Sequence, residues 1–217
     1  MEPFLIIPVL ILSIVVHEVA HAWQARREGD LTADRLGRIT LNPLPHLDLV
    51  GSVIVPLVLA FSGTGFLFGW AKPVPVNPTN YRSPVWGDIR VSMAGIVSNL
   101  ILAVLATIAA GVLLKVEVAM GTLGGATEIL GQIAVYGILI NLILAFFNLI
   151  PIPPLDGSHV FFYLLPRPLA LRYRDAGRYG LIILMGIMYF VPGFFDYLMW
   201  PVSLFMGVAD SLIRLWI

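Results

Sequence analysis

Cysteine is absent from the 217 residues, which excludes disulfides and leaves no thiolate to act as nucleophile or metal ligand. Charge is scarce: Asp, Glu, Lys and Arg make up 12% of the chain, about half the share of a soluble domain. Thirteen basic residues cancel thirteen acidic ones, so no net field draws in a polyanion, and nucleic-acid binding is excluded. The basic n-region of a signal peptide is missing, since Glu2 is the only charge before Glu18, and no A-x-A site follows. The first apolar run is therefore expected to be retained. What the chain has instead is apolar surface, with 59% hydrophobic residues and a mean hydropathy of +0.91. An ordinary soluble domain and a disordered chain are excluded, and a polytopic protein of the lipid bilayer remains.

The apolar runs predict the spans. Pro3 to Trp23 reads as a first crossing helix, stopped by Arg26 and Arg27. Leu47 to Phe68 is interrupted by Pro56 and by Ser62-Gly63-Thr64-Gly65. Val91 to Leu114 is clean and rich in small residues. A further run from Ile129 to Ile150 breaks at PIPPLDG (Pro151 to Gly157) and resumes as SHVFFYLL. Tyr179 to Phe190 and Phe194 to Trp216, split by Pro192-Gly193, read as two last helices, with Trp200 and Trp216 as interfacial anchors. The fold class expected is all-α and polytopic, with about five to six transmembrane helices, a membrane-dipping segment and a small β element on the cytoplasmic side. Residues 1–217 read as one membrane-embedded domain, with its core to about residue 166 and additional C-terminal helices over 179–217.

Charge placement argues for the dip. If 47–68 enters and returns, turning at SGTG, then Arg26, Arg27, Arg35, Arg38, Lys72, Arg82, Arg90, Arg167, Arg172, Arg174, Arg178 and Arg214 share one side and Lys115 alone takes the other. A full span would scatter them. The positive-inside rule puts the populated side, and with it 26–90, in the cytoplasm. Within that region Gly37 to Asn42 alternates like a strand. Lys72 to Asn77 has prolines at alternate positions, which suits an edge strand or polyproline conformation.

The chemistry starts at His17-Glu18-Val19-Ala20-His21, an HExxH pattern. On a helix the two histidines share a face one turn apart and can bind one Zn²⁺, while Glu18 lies beside them as a general base. HExxH is short enough to arise by chance, but not cheaply here. Charged residues in an apolar helix cost roughly 2.5–3.5 kcal/mol each, and zinc binding of about 10–16 kcal/mol offsets that. A catalytic zinc wants a third ligand and an open position. Asp156, His159, His46 and Asp48 are the candidates, and Asp156 is the best. It sits where a proline-rich break interrupts a membrane helix, and such backbone is tolerated only inside protein or against water. Its rival role is a plain helix N-cap. Asn148, eight positions upstream, fits equally a helix-bonded amide and a donor to an oxyanion. Asn99 and Asn141 are expected to hydrogen-bond between helices.

HEVAH (His17 to His21), AGIVSN (Ala94 to Asn99) and NLIPIPPLDG (Asn148 to Gly157) together resemble the site-2 protease family, the intramembrane zinc metalloproteases. LGRITLNPLPHLDLVGS and GWAKPVPVNP resemble its compact bacterial and archaeal members. The likeness runs from about Ile11 to Pro166. It implies His17, His21 and Asp156 as ligands of one Zn²⁺, Glu18 as catalytic base, and Asn148 in contact with substrate or transition state. It also implies a membrane-dipping β-containing loop, a transmembrane protein as substrate, and a site toward the cytoplasmic side of a prokaryotic cell membrane. Larger members carry PDZ domains between the second and third core helices; here the corresponding 115–128 stretch is too short for one.

The reaction expected is peptide-bond hydrolysis within the bilayer. A helical substrate must unwind before attack, and its released backbone groups need partners there. Strand addition to 37–42 or 72–77 would supply them, with proline-free Ile39-Thr40-Leu41 the better donor. His46 and Asp48 mark the expected path of water. A metal transporter would use the same ligands without needing Glu18, but one ligand cluster makes no pathway. An inactive scaffold would not need intact HEVAH and LDG motifs.

Overall fold

The computed structural model describes residues 2–55, 58, 61, 70–120 and 125–216. Eight α-helices are described, and three of them are long and apolar enough to cross a membrane. The first, α1 (Glu2–Glu28), ends where Gly29 turns the chain with φ 112°. A short α2 (Thr32–Arg35) follows. Next comes α3 (Pro84–Met120), which opens on a proline, the residue best suited to a first helical position. Last of the three is α4 (Gly125–Asn148). The chain is an all-α membrane protein.

These helices pack antiparallel. The C-terminal end of α1 meets the start of α3, where Ala25, Tyr81 and Val91 form one cluster and Arg90 pairs with Glu28 at 3.2 Å. Asn99 of α3 meets Asn141 of α4, while a side chain at Gly137 would meet Ala106, so α4 runs back along α3. Small residues let the backbones approach, as is usual where lipid offers no hydrophobic drive: Ala22, Ala25 and Ala145 are fully buried, and Ala103 nearly so. The outward faces carry exposed Leu, Ile and Val, as lipid contact requires.

After α4 the chain breaks at Pro151 to Asp156, with a cis bond between Pro153 and Pro154. It continues as α5 (Gly157–Leu164), α6 (Arg167–Ala176), α7 (Gly180–Phe190) and α8 (Phe194–Arg214). Both last apolar runs were expected to cross. With 11 residues, α7 reaches about 16 Å, half of a hydrocarbon core. Phe194 and Leu198, at the start of α8, still pack on Ile150, Leu155 and Leu184 beside the proline-rich turn. From there α8 runs along α3 and α4 until Trp216 lies 5.9 Å from Lys115 Nζ. Arg214 therefore belongs to the Lys115 end of the bundle, not to the end bearing the other arginines.

The described residues include no strand. Residues 37–42 turn instead of extending: Gly37 takes φ 64°, and Thr40 Oγ1 and Asn42 Oδ1 accept local backbone bonds that compete with a ladder. Residues 72–77 are irregular. Leu49–Ile54 forms a π-helical turn capped by Asp48, and most of the expected dip beyond it lies outside the described residues.

Candidate metal centre and catalytic base

His17 and His21 lie one turn apart on α1, about 16 and 11 Å, respectively, from its C-terminal end at the helical rise per residue. Asp156 arrives from the break after α4. It takes the N-cap position of α5, yet its side chain makes no cap bond. The carboxylate is aimed at the histidines instead: Oδ2 lies 3.1 Å from His17 Nε2 and 3.3 Å from His21 Nε2, and the two Nε2 atoms are 3.0 Å apart. Of the third-ligand candidates, the structure brings Asp156 alone to the histidine pair.

Hydrogen bonding fixes what these atoms offer. His17 Nδ1 lies 2.6 Å from Asn99 Oδ1, and His21 Nδ1 lies 2.7 Å from the Val91 carbonyl oxygen. Both partners accept only, so each Nδ1 carries the proton and each Nε2 presents a lone pair. Two lone pairs and a carboxylate oxygen thus converge with no donor among them, and Asp156 Oδ2 is buried without a hydrogen bond. Tetrahedral zinc with bonds of about 2.0–2.1 Å separates its ligand atoms by about 3.3 Å. The edges found, 3.0, 3.1 and 3.3 Å, fit that ion.

Two glycines make the room. A Cβ on Gly95 of α3 would lie 2.5 Å from His21 Nε2 and 2.6 Å from His17 Nε2. A Cβ on Gly157, the residue after Asp156, would run into the Leu149 carbonyl. The tight return that presents Asp156 closes only with glycine there.

Glu18 follows His17 directly on α1. Its Oε2 accepts a 2.7 Å hydrogen bond from the Val74 N–H, so residues 72–77 lie against the helix that bears HExxH. That segment is tied down elsewhere too. Arg38 Nη2 donates to the Lys72 carbonyl (2.9 Å), Lys72 N–H donates to the His46 carbonyl (2.9 Å), and Asp30 accepts from Asn77 N–H (2.7 Å) and Asn80 Nδ2 (2.9 Å). Burial alone would raise the Asp30 carboxyl, but bonds from Thr32, Asn80 and Asn77 outweigh it and hold the group below its ordinary range.

The remaining candidates fall elsewhere. His46 is 1% exposed and its Nε2 lies 3.0 Å from the Thr40 carbonyl, so it pins the loop. Asp48 caps the π-helical turn through Gly51 N–H. His159 is exposed, its Nδ1 lying 3.2 Å from Asp88 Oδ2, and Tyr163 donates to the same oxygen. Asn148 Nδ2 donates to the Leu144 carbonyl of its own helix at 2.9 Å. Asn99 and Asn141 do bridge helices, as expected, but sequence reasoning missed that Asn99 ends on a histidine of the site. A signal was present: Asn99 follows Gly95 by one helical turn, so the two share a face.

Comparison with known proteins agrees with this geometry. The family model described as Peptidase family M50 matches residues 5–188. A Bacillus subtilis (strain 168) protein named "Putative zinc metalloprotease YwhC" is 38% identical over 213 residues, covering 98% of this chain and 90% of the relative. A Mycolicibacterium smegmatis protein named "Putative zinc metalloprotease Rip2" is 31% identical over 223 residues, covering 96% of this chain and 76% of the relative. No solved structure matches the chain.

Proposed function

The chain belongs to peptidase family M50 and is an intramembrane zinc metalloprotease; from that premise we propose that His17, His21 and Asp156 hold its Zn²⁺, one per chain, and that Glu18 is its general base. The observation that carries this reading is the triangle of lone-pair donors within 3.3 Å of one another, one residue along α1 from Glu18. Zinc held there supplies Lewis-acid polarisation of the scissile carbonyl and acidifies water.

The protein's own groups do the rest. Glu18 takes the proton of the attacking water and returns it to the leaving amine. The Val74 N–H occupies Oε2, which leaves Oε1 for that transfer. Asn148 is proposed as the oxyanion donor: an amide NH₂ has two N–H bonds, and the Leu144 carbonyl takes one. An unwound stretch of a transmembrane substrate would lie along residues 72–77, whose Val74 N–H bonds Glu18 of the HExxH helix. We place four crossings in the bilayer, α1, α3, α4 and α8, with the site toward the cytoplasmic end. Arg26, Arg27, Arg82 and Arg90 gather at that end, which suits the positive-inside rule. The whole chain is read as one membrane-embedded unit. A transporter or an inactive scaffold is not favoured.

Paired measurement of zinc content and cleavage in wild type and Glu18→Gln, with a single-span substrate in liposomes, tests the assignment. Both proteins should hold one zinc, and cleavage should fall by about 10²–10⁴-fold in the variant. Equal cleavage would remove Glu18 from the chemistry, and loss of zinc from the variant would make it a ligand.

A further inference from the structure

Behind His17 lies a chain of polar side chains that the proposed reaction does not use. Ser13 is 2% exposed, Asn99 0% and Asn141 3%, deep among apolar helices where an unpaired amide is costly. Every polar atom in the chain has a partner. Asn99 Nδ2 donates to Asn141 Oδ1 at 2.8 Å and to the Ser13 carbonyl at 3.3 Å. Asn141 Nδ2 donates to the Gly137 carbonyl at 2.8 Å and to Ser13 Oγ at 3.0 Å. Ser13 Oγ donates to the Val9 carbonyl at 2.8 Å.

The direction of this chain is not free. The carbonyls of Val9, Ser13 and Gly137 belong to the backbone and can only accept. They force Asn141 to point its NH₂ at Gly137 and Ser13, and so to offer Oδ1 to Asn99. Asn99 must then present its NH₂ to Asn141 and Ser13 and its oxygen to His17. A flipped Asn99 would set its oxygen against two other acceptors. It would also aim an N–H at His17 Nδ1, moving the imidazole proton to Nε2, the atom the metal needs.

We propose that Asn141, which touches neither imidazole, is a positioning residue for the metal centre: through Asn99 it holds His17 in the tautomer that can bind zinc. The polarity fixed by helix carbonyls on α1 and α4 is passed through two amides to the ring. The inference rests on His17 being a ligand. Loss of such an outer partner lowers metal affinity by about 10–100-fold.

The experiment uses full-length protein labelled with ¹⁵N-histidine, stripped of zinc, with His17 read by NMR, and zinc affinity measured by chelator competition. Wild-type His17 should carry its proton on Nδ1 without metal. Asn141→Leu and the smaller Asn141→Ala should shift His17 toward the Nε2–H form and weaken zinc binding at least tenfold. Leu142→Ala, next along the same helix and equally buried, should lower the melting temperature and leave the tautomer alone. An Nε2–H wild type, or an unchanged tautomer in a folded Asn141 variant, would overturn the relay. A wild type that binds no zinc would overturn the ligand assignment instead.

Discussion

The two sides of the site are held by different means. The ligand side is braced by helices: α1, α3 and α4 meet through buried side chains, and each imidazole is bonded to α3. The base side is braced by a loop: Glu18 is tied to a backbone N–H of residues 72–77, which in turn hang on Arg38, Asp30 and the His46 carbonyl. Helix bracing suits a zinc ion, which tolerates little error in ligand position. Loop bracing suits a group beside which a substrate chain must enter and leave, since loops on a rigid scaffold are where binding surfaces are built. Damage to the first side should strike metal binding, and damage to the second should strike turnover with the metal still in place.

Gly95→Ala should break that comparison hardest on the ligand side. Its Cβ would stand 2.5 Å from one donor nitrogen and 2.6 Å from the other, closer than any unbonded pair sits. Backbone on α3 and two rings fixed at Nδ1 leave nowhere to yield. We expect zinc content to drop below a tenth of wild type and cleavage to vanish, while circular dichroism stays helical. Full zinc occupancy in this variant would show that the donors close around a different point.

Val74→Pro sharpens the other side. It deletes the N–H that Glu18 accepts, and Pro73 already disposes the backbone toward extended conformation. A hydrogen bond to a charged group contributes about 1.5–3 kcal/mol, so kcat should fall by about 10–100-fold with zinc content unchanged. If zinc falls in step with kcat, the loop braces the ligands too and the two sides are not separate.

How far the sequence discloses this division depends on the range of the interactions. The long apolar helices were legible because apolar runs and stops are local: Arg26, Arg27 and Gly29 mark the end of α1 within a turn. HExxH was legible because i,i+4 spacing fixes a shared face. Asp156 was visible as an acid in a broken apolar helix, although its choice between N-cap and ligand needed the fold. The 179–190 run was less legible, since hydropathy cannot show that Gly180 and Phe194 both pack against the same proline-rich turn. The bonds of Asn99 to His17 and of Glu18 to Val74 join residues 82 and 56 positions apart, and no local pattern encodes them. Gly37 to Asn42 alternated in the manner of a strand, but alternation says nothing of whether a partner strand is at hand.

The mildest perturbation concerns Asp30, the fully buried carboxylate that anchors Asn77 and Asn80. Asp30→Asn puts an NH₂ where an oxygen accepted, so one of these donors loses its partner at a cost of about 1.5–3 kcal/mol. The native carboxyl is held below its ordinary value, so in the wild type the unfolded chain takes up the proton first as pH falls. The stabilisation is complete above the unfolded pKa, near pH 4, and fades as pH drops through the lower folded value. The melting temperatures of wild type and Asp30→Asn should therefore differ most near neutrality and converge below about pH 4, with zinc affinity the same in both. A gap that persists undiminished into acid would mean that packing, not the carboxylate charge, holds the loop; a loss of zinc affinity would place Asp30 on the ligand side after all.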